Sequence, residues 1–172
     1  NPVCLKAFSA AAQTAKTRGN PYVELVHFIE ALSQSARSDF EILCASAGVD
    51  ASRLAADITR AVDALPHGAG SVEEFSDHIF RAIQEGWTFG SLDFSDDTVR
   101  SAYILLGALK VPVLEGLLFK ISLEFDKVDP ASMGAQLGDL LAESIEGAKP
   151  DGEAAPKAKQ APGGKSALDQ YA

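Results

Sequence analysis

Two stretches of this chain, displaced by 76 residues, carry the same succession of local signals, and that repetition limits the folds open to it. Val23 falls on Val99, and His27-Phe28-Ile29 falls on Tyr103-Ile104-Leu105. After three extra residues, Val49-Asp50-Ala51 falls on Val128-Asp129-Pro130. Each stretch reads as a long helix, a turn, a helix, a helix and a capped helix. Few letters are shared, so the repeat lies in the pattern. The expectation is an all-α body of about eight helices in two pseudo-symmetric halves.

Caps and apolar stripes place the helices. Asn1 caps a first helix that has Pro2 at its first position and ends at Gly19. Leu25, Phe28, Ile29 and Leu32 give the second its stripe, and Ser38 with Glu41 forms a capping box for the third, with Phe40, Leu43, Cys44 and Ala47. Asp50 caps the fourth, which carries Leu54, Ile58, Ala61 and Leu65 and closes at Pro66. Ser76 caps the fifth, with Ile79, Phe80, Ile83 and Trp87 as its apolar stripe. A sixth covers Ser101 to Lys110, and a seventh uses Leu114, Leu117, Leu118 and Ile121. Asp129-Pro130 opens an eighth, with Met133, Leu137, Leu140, Leu141 and Ile145. Strand signals are nearly absent; the best is a short extended piece near Val99.

At 172 residues the chain suffices for one domain with a real core, and its 47% hydrophobic and 23% charged residues are a globular mix. The repeat occupies residues 1–146. Residues 147–166 are rich in Ala, Pro, Gly and Lys, with nothing to bury, and read as a flexible linker. Residues 167–172 read as the first turn of a further, truncated region, and the opening at Asn1 predicts residues upstream that this sequence lacks.

The net charge is −9, and the linker and tail hold four lysines against three acidic residues, leaving −10 on the folded part. Such a body repels phosphate backbones and anionic lipid, so neither nucleic acid nor membrane is expected as a partner. No apolar run is long enough to span a bilayer, and no leader pattern stands at the front. Cys4 and Cys44 are single, on apolar stripes, and fit small core residues in a reducing cytoplasm.

Little in the sequence asks for catalysis. Pro162-Gly163-Gly164-Lys165-Ser166 ends like a phosphate-binding loop, but Lys159 stands where its first glycine belongs, and linker precedes it where a strand is needed. His27, His67 and His78 have no metal-ligand spacing, and His27 beside an apolar stripe fits helix packing better than chemistry. The expectation is a chain with no catalytic residue, no metal and no cofactor of its own.

The segment His27-Phe28-Ile29-Glu30-Ala31-Leu32, opened by His and rich in Leu-like letters, resembles the marker of the double-repeat N-terminal domain of Clp-type AAA+ unfoldases. Its second copy, from Tyr103 to Leu109, has Tyr where that family has His. Ala167-Leu168-Asp169-Gln170-Tyr171 resembles the segment that enters the first ATPase ring. Within the family, the opening Asn1-Pro2-Val3-Cys4, the stretch Leu54 to Ala61 with Ala64-Leu65-Pro66, Phe75-Ser76-Asp77-His78 and Ile121 to Phe125 are similar to the type VI secretion branch, ClpV or TssH.

That resemblance implies a substrate-recognition domain. It would dock an N-terminal helix of the small sheath subunit (VipB, or TssC), so that the contracted sheath is taken apart. ATP and Mg²⁺ would be handled by ATPase rings outside this chain, which would also hold a hexamer while this piece alone stays monomeric. The family's groove, carried over, lies between Val3, Lys6 and Ala7 on one wall and Phe94, Asp97 and Thr98 on the other. Independently, Phe94 is an aromatic in the polar stretch from Ser91 to Asp97, where it is either a loop anchor or a docking residue. The rivals are a domain sampling many unfolded chains, as in the disaggregase ClpB, a spacer that only gates the ring, and an independent enzyme.

Overall fold

The computed structural model describes residues 1–72, 74–94 and 98–147. The first half comprises α1 (Pro2–Arg18), a two-residue strand β1 (Tyr22–Val23), α2 (Leu25–Ser33), α3 (Asp39–Ser46) and α4 (Ala51–Asp63). The second comprises β2 (Glu74–Phe75), α5 (Asp77–Asp93), α6 (Ser101–Leu109), α7 (Pro112–Ile121), α8 (Pro130–Ala135) and α9 (Leu137–Leu140), with 3-10 turns at Leu123–Lys127 and Ile145–Gly147. The repeat is literal in length: α1 and α5 have 17 residues each, and α2 and α6 have nine.

The helix starts are chemically fixed. Asn1 accepts from the Cys4 amide at 2.9 Å, Asp50 from Arg53 at 3.1 Å, Ser76 from His78 at 3.1 Å and Asp129 from Ala131 at 3.2 Å. Gly19, at φ 73°, ends α1 in the left-handed conformation. Ser38 accepts from the Glu41 amide at 3.3 Å, but the Glu41 carboxylate turns to the Arg37 amide at 2.8 Å, so the expected capping box is half formed.

The two halves are also joined alike. β1 and β2 pair in parallel, Tyr22 with Glu74 and Val23 with Phe75, and the Ser76 amide then donates to the Val23 carbonyl at 2.8 Å. At the equivalent place in the second half, the Asn1 amino group donates to the Val99 carbonyl at 3.4 Å. The extended piece expected near Val99 is therefore not a strand; the strand pair among the described residues is β1–β2.

α6 is the spine, with all nine of its residues buried. α5 packs on it through glycines. A Cβ on Gly86 would lie 2.7 Å from the Ile104 side chain, one on Gly90 2.4 Å from the Tyr103 ring, and one on Gly107 2.7 Å from the Glu85 carbonyl. Only a residue without a Cβ fits at these three places. The buried face of α5 is therefore Ile79, Ala82, Gly86, Phe89 and Gly90. This corrects the expected stripe: Ile79 is buried, but Phe80 is 52% and Trp87 46% exposed.

The single eighth helix expected over Met133 to Ile145 is also corrected. Gly134 and Gly138 lower its helix propensity, and the chain breaks between α8 and α9, then turns. The Ile145 amide donates to the Arg37 carbonyl at 3.0 Å instead of to a helical partner. Ile145 is thereby turned outward and Ser144 and Glu146 inward.

Polar ties cross between the halves. The Asp50 amide donates to Glu124 at 2.8 Å, and Ser122 Oγ donates to Asp57 at 2.6 Å. The Ser122 hydroxyl, then the neighbouring Arg60, hold the Asp57 carboxyl below the usual carboxylate range. Deeper in, Arg100 makes a fork to the buried Asp39, both bonds 2.8 Å. Glu146 accepts from the Asp39 amide at 2.7 Å, the Ser101 amide at 2.8 Å, the Ser101 hydroxyl and the Asn1 side chain at 2.9 Å. One carboxylate thus gathers the starts of α1, α3 and α6. The residues expected to form linker and tail lie, from 148 onward, outside the described residues, as does the Gly163-Gly164-Lys165 run.

Candidate functional site

Apart from Tyr22, Val113, Leu123 and Ile145, the large apolar side chains exposed among the described residues lie on α5 and the neighbouring start of α1. Phe80, Ile83 and Trp87 fall on one helical face, and Phe94 follows seven residues later, along the flank of the buried glycine face. One end of this strip is an aromatic cluster. The Phe8 ring stacks on Phe75 at 4.4 Å and lies 6.4 Å from Phe80, with Phe28 beneath at 6.3 Å. At the other end Phe94, 36% exposed, lies flat on Tyr103, which is buried, and 5.5 Å from Phe89. Leu5 on α1, 70% exposed, and Leu92, 77% exposed, add to the apolar surface. Apolar surface of this extent marks an interaction site more often than an accident.

The residues named from the sequence fall as follows. Val3 is half-buried and Lys6 exposed on the first turns of α1, while Ala7 faces the core. Phe94 stands at the end of α5, Thr98 is exposed, and Asp97 lies outside the described residues. The bond from Asn1 to Val99 sets the start of α1 beside the segment that carries Thr98. Phe80 and Trp87 were missed as surface residues because their spacing also fits a core stripe. The available signal was the small-residue series Ala82, Gly86, Gly90, spaced by four, which can only be a close-packing face and pushes the bulky series outward.

The histidine marker has a structural task. His27 is wholly buried; its Nδ1 accepts from the Glu24 amide at 2.9 Å, so its Nε2 carries the proton and donates to Asn20 Oδ1 at 2.9 Å. Asn20 passes the tie to the Pro66 carbonyl at 2.7 Å. Burial, then the Arg18 charge, push the His27 pKa down to about 4. A neutral imidazole with both nitrogens engaged is unavailable for acid–base work. The Cys4 and Cys44 thiols are pushed up to about 12, each chiefly by burial, and are equally inert. Among the described residues no three His, Cys, Asp or Glu side chains are grouped to hold a metal, and no helix is long and apolar enough to cross a membrane.

A family model described as the Clp repeat (R) N-terminal domain matches residues 4–118. The chain belongs to the Clp repeat N-terminal domain family. Over 146 residues, 85% of this chain, it is 38% identical to the AAA+ ATPase ClpV1 of Pseudomonas aeruginosa, and it spans 16% of that relative's length. A solved structure from work on the coevolution of the ATPase ClpV, the TssB–TssC sheath and the accessory HsiE protein superposes with a TM-score of 0.82 at 38% identity, covering 85% of this chain and 90% of the other. A ClpV N-domain in complex with a VipB peptide shares the fold, with a TM-score of 0.70 at 22% identity over 84% of this chain and 92% of the other. The Clp repeat accounts for the paired 17-residue and nine-residue helices, and His27 and Tyr103 occupy the same place in its two copies.

Proposed function

We propose that this Clp repeat domain is a non-catalytic docking module that holds an amphipathic N-terminal helix of a type VI sheath subunit (VipB or TssC) against the strip from Phe8 to Phe94. The observation that carries it is the strip itself: half-exposed aromatics in register along α5, beside the start of α1. A helix laid there buries apolar anchors at helical spacing. The −10 body favours lysine or arginine on that helix's rim. The 38% identity to a ClpV and the fold shared with a peptide-bound ClpV N-domain support the reading. ATP and Mg²⁺ are handled by rings elsewhere in a longer protein. Those rings carry the hexamer, and the isolated domain is a monomer in the cytoplasm.

A second reading rests on one contrast. The chain shares 38% of its residues with a ClpV studied beside the accessory HsiE protein, and 22% with the domain bound to a VipB peptide. On that reading an accessory protein, and not the sheath subunit itself, occupies the same strip.

Fluorescence anisotropy with a labelled sheath-subunit N-terminal peptide tests the first reading. Affinity of about micromolar order is expected, weakened at least tenfold by Trp87→Ala or Phe94→Ala. Binding of the accessory protein alone supports the second reading. Weak binding of many unrelated peptides indicates a ClpB-like sampler, and no binding indicates a spacer.

A further inference from the structure

A second recess, sharing no residue with the strip, opens between α2, α3 and α4. It is a cavity of about 280 Å³. Its floor is Phe40, Leu54 and Ile58, all buried. The void exists because the facing positions Cys44, Ala45, Ala51 and Ala55 are small where helices normally interdigitate. Glu30 and Glu41 stand at its edge, and neither carboxylate has an ion-pair partner among the described residues.

The second half shows how such a place is filled. By the repeat, Gly134 is the counterpart of Ala55 and Lys110 that of Gln34, which also lines the cavity. Both adjoin one ring. Phe89 comes within 3.7 Å of where a Gly134 Cβ would stand, and the Lys110 ammonium lies over it, 4.6 Å from its centre. The first-half counterpart of Phe89, at the matching position of α1, is Thr14, which cannot reach so far. Where the second half places Phe89 and Lys110, the first half has only Thr14 and Gln34.

We propose that this cavity binds a phenylalanine- or leucine-type side chain of a peptide segment that carries lysine or arginine on either side. Water is a poor occupant of an apolar floor, since it needs two to four polar partners. The volume lies below the roughly 300–1,000 Å³ typical of cofactor and drug-sized sites, which points to one side chain. Glu30 and Glu41 select the basic flanks and reject acidic ones. This site stands whether or not the α5 strip takes a sheath helix, and it would give a threaded partner a second foothold.

The test is a ¹⁵N chemical-shift titration of the full chain with a capped nonapeptide holding one central phenylalanine between lysines in a serine background. Shifts at Cys44, Ala45 and Ala55 are expected at about millimolar peptide. Ala55→Phe, which fills the recess from an exposed position, should abolish them, and Ala45→Phe serves if that variant does not fold. Glu30→Gln with Glu41→Gln should weaken binding at least threefold, and a peptide with glutamate flanks should not bind. Unchanged shifts in a folded Ala55→Phe chain, shifts confined to α1 and α5, equal binding of the acidic peptide, or no shifts at all would each overturn the proposal.

Discussion

The ring of Phe94 lies 5.5 Å from that of Tyr103 and 11° from parallel to it, so an aromatic on the surface is braced by one in the core. Phe94 is therefore both a loop anchor and a surface residue. Phe94→Ala should cost about 1 kcal/mol of stability from the lost stack, read from the urea midpoint, beside the tenfold loss of peptide affinity. Tyr103→Phe should preserve both. A stability loss of several kcal/mol with no separate loss of affinity would make Phe94 a core residue only.

Gly90 and Gly116 are both helical, yet the same substitution should act on them with opposite sign. Gly90→Ala drives a methyl into the Tyr103 ring, 2.4 Å away, and should destabilise by about 1–3 kcal/mol. Gly116→Ala on α7 meets nothing within 4 Å and should stabilise by roughly 0.5–1 kcal/mol. Thermal melts of the two variants check this. A Gly90→Ala variant that melts no lower than the parent would show that α5 and α6 are not locked together.

His27 sets an acid limit. Its pKa of about 4 in the folded state lies below the unfolded value of 6.5, so protonation favours unfolding. Stability should be complete above about pH 6.5, fall as the pH drops towards 4, and fall no further below that on this residue's account. The loss should be about 3 kcal/mol, some 6–12 °C for a domain of this size. His27→Gln, which cannot titrate, should be less stable at neutral pH but lack this component. Melting curves from pH 7 to pH 4 whose slopes match in the two proteins would count against the buried neutral imidazole.

Glu146 stands at the end of the described chain, yet it should behave as a core residue. Glu146→Ala leaves the Asp39 and Ser101 amides without their acceptor and should cost about 3 kcal/mol or more, measured by denaturant unfolding. Hydrogen exchange should quicken at the starts of α1, α3 and α6 together. A loss confined to residues 144–147 would mean that the carboxylate only pins its own turn.

Much of this was legible in the sequence because it is local. Asn1, Asp50, Ser76 and Asp129 cap the helices they precede, and the pattern shift that laid His27 on Tyr103 returns as two nine-residue helices. What failed was not local. The fifth helix has two apolar faces, and composition alone favours the bulky one; the small-residue spacing that marks the glycine face as the inner one takes its meaning from the approach of α6. The break after Ala135 and the inward turn of Glu146 depend on acceptors and donors as far as 145 residues away, which no window along the chain can contain. Neighbouring wall residues differ in exposure for the same reason: Lys6 faces out, but Ala7 on the next position faces in.

The glycine seam between α5 and α6 has a mechanical consequence. A partner gripping Phe80 and Trp87 would load α5, whose glycines sit directly on the Ile104 and Tyr103 side chains and the backbone of α6. The start of α6 is clamped in turn, through Arg100 and Ser101, to Asp39 and Glu146. The aromatic strip and the cluster around Glu146 are thus tied to each other through one wholly buried helix. A load taken up at the strip would be shared with that cluster and not borne by α5 alone.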